Sequence, residues 1–289
     1  MKIFRHSPKD IYPVMYTLMV GILPFIIVIM DLDLIAWILM LPLHAWLIVN
    51  AQNSSLHHNA HWKTFTNRWV GMIYDLCASA ASNICNAAYR QSHLLHHIHV
   101  NDKPVNGVCK DPLSVFAQSK NGEPENFWIH CTTHAWKAVV TTFSAILLPI
   151  HQCKTVDGPQ LRRERCTIFL YTLAIICCDV WYGLWYSLVI LYVANFMNRA
   201  TSYGEHWQVL DRRGDTTQDS IGIYSRWYNI IGFGAGYHQE HHHKPGVHWT
   251  RLHEVTPLLH PDRKILGGMH MTNCPFWQHF KDLFVAKSS

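Results

Sequence analysis

None of the nine cysteines in this 289-residue chain belongs to a C-x-x-C pair. That absence removes a rubredoxin-like centre, and the odd number, with Cys177 and Cys178 adjacent in an apolar run, argues against a disulfide framework. Free thiols used for packing in a reducing compartment are the expectation. No glycine fingerprint for a flavin or nicotinamide nucleotide is present and no haem-binding H-P-G-G segment, so electrons for any redox reaction must come from elsewhere. Basic residues form no stripe interleaved with aromatics, and the formal charge is only +5. Nucleic acid is therefore not expected, whereas a surface of anionic lipid headgroups suits the modest positive balance. Repeats and low-complexity segments are absent.

What the chain does have is long apolar runs. Residues 11–31 hold no charge before Asp31, and residues 33–50 hold only Asp33 near their start. Each is long enough to cross a hydrocarbon core of ~30 Å at ~1.5 Å per helical residue, with the polar break between them a tight hairpin. The first run exceeds a signal-peptide core of about 7 to 15 residues and no small-residue cleavage pattern follows it. Lys2, Arg5 and Lys9 before the first run, and Lys63 and Arg68 after the second, place both ends of this hairpin in the cytoplasm.

Further along, residues 69–90 read as an interfacial helix and residues 101–126, rich in glycine and proline, as a surface loop. Residues 134–150 are a marginal span. Residues 166–198 form a long apolar run broken at Asp179 and Gly183, which reads as a second hairpin with spans at 166–181 and 182–198; charge placement favours this over a crossing at 134–150. The expected fold is thus a single all-α integral membrane domain over 1–289 with about four transmembrane helices in two hairpins, interfacial helices and a histidine-rich cytosolic cap formed by 51–133 and 199–289.

Histidine is the outstanding excess, with 22 in the chain. His57-His58-Asn59-Ala60-His61 follows the second run, and His57 and His61 lie one helical turn apart on one face, able to reach one metal. His93-Leu94-Leu95-His96-His97 and His238-Gln239-Glu240-His241-His242 share the spacing i, i+3, i+4, which gathers three imidazoles on one side of a helix. Imidazole suits iron, zinc and copper alike, but eight such nitrogens exceed the needs of one ion.

In this order the three clusters resemble the histidine boxes of the membrane fatty acid desaturase and hydroxylase superfamily, which also contains alkane hydroxylases, carotenoid ketolases and alkene-forming fatty-acid decarboxylases. The likeness runs over residues 50–255. His99-Val100-Asn101-Asp102 with Asp111-Pro112 resembles the family's T-N-x-D-P continuation. Gly236-Tyr237-His238-Gln239-Glu240-His241-His242-His243-Lys244-Pro245-Gly246-Val247-His248-Trp249 is similar to the G-Y-H-x-x-H-H-x-x-P-x-x-H-W of compact bacterial desaturases. Ser202-Tyr203-Gly204-Glu205-His206 resembles the N-Y-x-Q/E-H segment that supplies a ninth ligand, with Ser202 where relatives often carry an Asn that holds an iron-bound water.

The resemblance implies two non-haem irons held by His57, His61, His93, His96, His97, His206, His238, His241 and His242. His58, His99, His243 and His248 are then neighbours, while Glu205, Glu240, Asp102 and Asp111 are candidates to orient imidazoles. It also implies dioxygen as cosubstrate and attack on an unactivated C–H bond of a fatty acyl or lipid-like substrate, chemistry beyond protein acids and bases. Desaturation is favoured because the second box is H-x-x-H-H. Hydroxylation and alkene-forming decarboxylation are alternatives on the same cage. A membrane zinc or copper binding or transport protein is the non-enzymatic alternative, and it would want histidines at mid-depth, where only His44 lies inside a run. An external ferredoxin, rubredoxin or cytochrome donor is required, docking through Arg212, Arg213, Arg226 or Lys244 unless those cations face lipid. Loss of His97 or His241 should abolish activity, and loss of His279 should not.

Overall fold

The computed structural model describes residues 2–117, 119, 122–144, 158–207 and 215–259. Residues 145–150 of the marginal 134–150 stretch, Arg212, Arg213 and His279 lie outside them. Among the described residues every regular element is helical, and extended residues pair only at two isolated bridges, Phe4 with Phe65 and Val105 with Val108. The chain divides into two units, Met1–Gln91 with Cys131–Asn198, and Ser92–His130 with Arg199–Ser289.

The first unit begins with α1 (Ile11–Ile29) and α2 (Leu34–Asn50). Asp31 takes a left-handed φ of 50° between them, and the Asp33 carboxylate caps α2 by accepting from the Ala36 amide at 2.8 Å. This is the tight hairpin that the polar break announced. The helix does not end at residue 50, however. It continues through a π-helical turn, Ala51–Leu56, into α3 (His57–His61), so that Leu34–His61 is one rod of 28 residues.

The polar run Gln52-Asn53-Ser54-Ser55 looks like the end of a span in the sequence, yet its groups are satisfied inside the protein. Gln52 Nε2 donates to the Ser82 carbonyl at 2.9 Å and the Ser55 hydroxyl to the Pro13 carbonyl at 3.0 Å. A buried polar stretch with its partners supplied packs like an apolar one. The wider π turn also changes the angle at which the following histidines leave the helix.

α4 (Arg68–Ser82) ends at Asn83, φ 54°, and α5 (Asn86–His99) starts three residues later, so the expected interfacial helix over 69–90 is two helices with a left-handed break. Both α5 and α6 (Phe127–Ser144) have residues in each unit. α7 (Gly158–Cys178) stops where Asp179 caps α8 (Val180–Trp185), accepting from the Tyr182 amide at 2.8 Å. The chain reverses there: the Tyr171 and Tyr186 rings stand 6.4 Å apart, and a Cβ on Gly183 would come within 2.5 Å of Ile176 Cα. This is the expected turn at Asp179 and Gly183. Asp179→Ala should cost about 1 kcal/mol of stability through loss of the cap, read as a lower unfolding temperature in detergent. A second π turn, Tyr186–Ile190, leads into α9 (Leu191–Trp207).

Val20, Ile27, Ile48, Ile175, Tyr182, Tyr186 and Ile190 form the core of the first unit. Outside that core the helices are as apolar as within it: Ile29 is 82% exposed and Leu39 74%. Such side chains suit acyl chains rather than water. Pro8–Ile29, Leu34–His61 and Val180–Trp207 are each long and apolar enough to cross a membrane. The fourth expected span, 166–181, is not among these three, because its helix opens with Arg162, Arg163, Glu164 and Arg165 and is apolar only afterwards.

The second unit holds the end of α5, the stretch that follows it, the end of α9, α10 (Arg226–Ile231), α11 (His238–His243) and α12 (Thr256–Leu259). The described residues of 101–126 lack regular helix, as expected, but they are not a surface loop throughout. Asp111, Ser114, Val115 and Phe116 are buried. Asn101, φ 54°, turns the chain beyond α5, and its amide donates to Asp111 Oδ2 at 2.9 Å.

Candidate metal centre

On α5 the i, i+3, i+4 spacing places His93, His96 and His97 on one face, and on the single-turn helix α11 it does the same for His238, His241 and His242. The second unit brings these six together with His206, in the last turn of α9, in two groups. In the first, His97 Nε2 lies 2.9 Å from His93 Nε2 and 2.9 Å from His241 Nε2. In the second, His206 Nε2 lies 3.1 Å from His96 Nε2 and 3.1 Å from His238 Nε2. His242 completes the second group, with its ring centroid 4.9 Å from that of His206 and 4.5 Å from that of His238.

These contacts are not a hydrogen-bond network. A neutral imidazole nitrogen offers one proton or one lone pair, so a single Nε2 cannot serve two Nε2 neighbours. The tautomers make the point sharper. His206 Nδ1 is 3.1 Å from the Asp219 carbonyl oxygen, and His96 Nδ1 is 3.0 Å from Asp111 Oδ2. Both oxygens can only accept, so both Nδ1 atoms carry the proton, and the two Nε2 lone pairs face each other at 3.1 Å. A metal cation between them makes that arrangement favourable. A metal serves every lone pair of a group at once, and nitrogens at about 2.1 Å from an ion with right-angled ligand directions would be about 3.0 Å apart.

Two further features fit a metal. His242 Nε2 is buried without a hydrogen-bond partner, which is costly unless an ion takes the lone pair. Burial first, and then the company of His238, His97, His206 and His96, holds the His242 imidazole well below its ordinary range, in the neutral form that ligates. Burial alone would raise the Asp111 carboxyl, but the His96 imidazole and the Leu113 and Asn101 amides outweigh it and keep the group below the usual carboxylate range. An ionised Asp111 behind His96 orients the ring and raises its basicity. Asp111→Asn should keep the fold and weaken metal binding by about 10- to 100-fold, measured by titration of the apoprotein.

The other sequence candidates divide. His57 and His61 belong to the first unit, with ring centroids 5.3 Å apart on α3. His57 Nδ1 is 3.1 Å from the Asn53 carbonyl, which places the proton there and the lone pair on Nε2. Ser202 is half-buried one turn before His206 on α9. His243 Nδ1 meets the Thr216 hydroxyl at 3.2 Å and His248 Nδ1 the Thr250 hydroxyl at 3.0 Å. Asp102 is 3.7 Å from His99, and Glu240 accepts from the Thr256 hydroxyl at 2.7 Å. Glu205 approaches His238 at Nε2, 3.6 Å away, on the ligating side of that ring rather than behind it. Arg226 and Lys244 are exposed.

Asp219 was missed. Its carbonyl sets the His206 tautomer and its carboxylate lies 3.6 Å from His242 Nδ1. Nothing in the run Asp215-Thr216-Thr217-Gln218-Asp219-Ser220 marks it, because a backbone acceptor leaves no trace in residue type.

Apolar helices of spanning length and clustered histidines compatible with a metal site define a helical membrane protein. A family model described as Fatty acid desaturase matches residues 14–272. The chain therefore belongs to the fatty acid desaturase family, as an oxidoreductase of lipid metabolism. Neither the curated proteins nor the solved structures contain a match to it.

Proposed function

We propose that the chain is a dioxygen-dependent, non-haem di-iron oxidoreductase that removes hydrogen from an unactivated C–H bond of a fatty acyl or lipid-like substrate, with desaturation as the outcome. The observation that carries this reading is the partition of seven imidazoles into two groups, one around His97 Nε2 and one around His206 Nε2. Two such groups suit two ions. His57 and His61 complete the ligand set to nine. Iron, when bound, supplies the redox chemistry with dioxygen that side-chain acids and bases lack.

The protein's own part is to hold the imidazoles neutral and aimed. Asp111 and the Asp219 carbonyl do so for His96 and His206, and the Asn53 carbonyl does so for His57. Burial of His96, His206 and His242 keeps bulk water from competing for the site. Electrons come from a separate ferredoxin, rubredoxin or cytochrome. In the membrane, the apolar half of α7 joins the three long helices as a fourth span, and the clustered Lys2, Arg5, Lys9, Lys63 and Arg68 set the histidine-bearing ends at the cytoplasmic side.

The deciding experiment is expression with an electron donor, followed by mass spectrometry of lipids and metal analysis of the purified chain. A product lighter by about two mass units, formed with dioxygen and iron, is the expected result. A product heavier by about sixteen marks hydroxylation on the same cage, and loss of carbon dioxide marks decarboxylation. Zinc or copper without iron overturns the reading in favour of metal binding or transport.

A further inference from the structure

A single carboxylate in the first unit joins the turn that bears His57 and His61 to the root of the helix that bears His93, His96 and His97. Asp75, on α4, is buried with 6% of its surface exposed. Its Oδ1 accepts from the side-chain amide of Asn59 at 2.6 Å and from that of Asn86 at 2.7 Å. Its Oδ2 accepts from Lys63 Nζ at 2.8 Å and from Gln160 Nε2 at 3.3 Å.

Each partner has a meaningful place. Asn59 lies between His57 and His61, and its Oδ1 accepts from the Thr64 amide at 3.2 Å and the Thr64 hydroxyl at 3.1 Å. Those donors fix which end of the Asn59 amide is oxygen, and so direct its NH2 at Asp75. Asn86 is the first residue of α5, two turns before His93. Gln160 also donates to Glu164 at 2.7 Å, and Glu164 accepts from the Ala87 amide at 2.9 Å, a second tie to the same helix start.

We propose that Asp75 is a positioning residue for the metal centre, its carboxylate holding the His57–His61 turn in register with α5. This rests on the reading that both boxes bind metal. Four donors converge on one acidic group, so only an acceptor at both oxygens satisfies them. Asparagine would not serve: whichever way its amide turned, an NH2 would face two of the four donors in a buried site. Ligand nitrogens tolerate little displacement, and groups that orient ligands typically change metal affinity by about 10- to 100-fold when lost.

The test uses the full chain in detergent and three variants, Asp75→Asn, Asn59→Ala and Asn86→Ala. Helicity is followed by circular dichroism, anaerobic ferrous-iron binding by titration, and ligand geometry by the visible absorption of bound cobalt(II). The expected result for Asp75→Asn is unchanged helicity, iron binding weaker by about 10-fold or more, and an altered cobalt spectrum at saturation. A residue that merely stabilised the fold would leave that spectrum as in the parent chain. Parental affinity and spectrum in a folded Asp75→Asn protein overturn the proposal. Should Asp75→Asn fail to fold, Asn59→Ala and Asn86→Ala decide, since each removes one tie and leaves the carboxylate with Lys63: weaker iron binding in either supports the proposal, and parental binding in both overturns it. Failure of the parent chain itself to bind iron or cobalt would instead sink the proposed function, and this inference with it.

Discussion

His97→Ala should remove one of the two metal ions and bring product formation below detection. His97 Nε2 is the middle member of its group, 2.9 Å from both His93 Nε2 and His241 Nε2, so its loss removes the nitrogen that both of the others adjoin. Loss of groups that only orient a ligand costs about 10- to 100-fold in affinity, so loss of the ligand should cost at least about 100-fold. Metal analysis after gel filtration should show about one ion per chain where the parent holds about two, since the group around His206 keeps all its nitrogens. Arg226→Ala, at an exposed cation on α10, is the matched control and should retain both ions. Equal metal content in His97→Ala and the parent would show that the Nε2 contacts are not a ligand set.

The result would bear on what the sequence can and cannot reveal. The spacing of His93, His96 and His97, and of His238, His241 and His242, was enough to place three imidazoles on one helix face, because helical periodicity is local. Likewise the Asp31 and Asp33 turn and the Asp179 reversal were legible, since a capping carboxylate beside an apolar run is a local signal. The continuation of α2 to His61 was not. Gln52, Asn53, Ser54 and Ser55 read as an exit from the membrane, and partners distant in sequence, Ser82, Pro13 and Asn198, explain why they stay helical inside the protein.

The site was legible to the same depth. Residue type and spacing pick out the imidazoles, yet which groups fix the tautomers is a matter of tertiary contact. Asp111 could be nominated through its place after the second box, as it stands 3.0 Å behind His96. Asp219, acting on His206 through a carbonyl, could not. Glu240 sits inside the third box and accepts from Thr256, a partner that the box's spacing does not announce.

Two glycines in the stretch around the third box carry the remaining large prediction, because they look alike in sequence and should behave oppositely. Gly236 packs against residue 223: the Ile223 amide donates to the Gly236 carbonyl at 2.6 Å, and Asn229 Nδ2 donates to the Ile223 carbonyl at 2.8 Å. A Cβ at 236 would strike the Ile223 carbonyl oxygen and lie 2.8 Å from Asn229 Oδ1. These are backbone and tightly bonded groups with no room to yield, so the segment must shift, at a cost of about 1 to 3 kcal/mol. His238 is two residues away, and a shift of about 1 Å at ligating nitrogens is enough to lower turnover by about 100-fold. Gly236→Ala should therefore lose both activity and metal while remaining helical by circular dichroism. Around Gly246 nothing lies within 4 Å of an added Cβ, so Gly246→Ala should change stability by less than about 0.5 kcal/mol and leave metal content as it was. Equal behaviour of the two variants would mean that the close approach at Gly236 does not hold α11 in place, and that the third box is positioned by α11's own contacts with His97 and His206 alone.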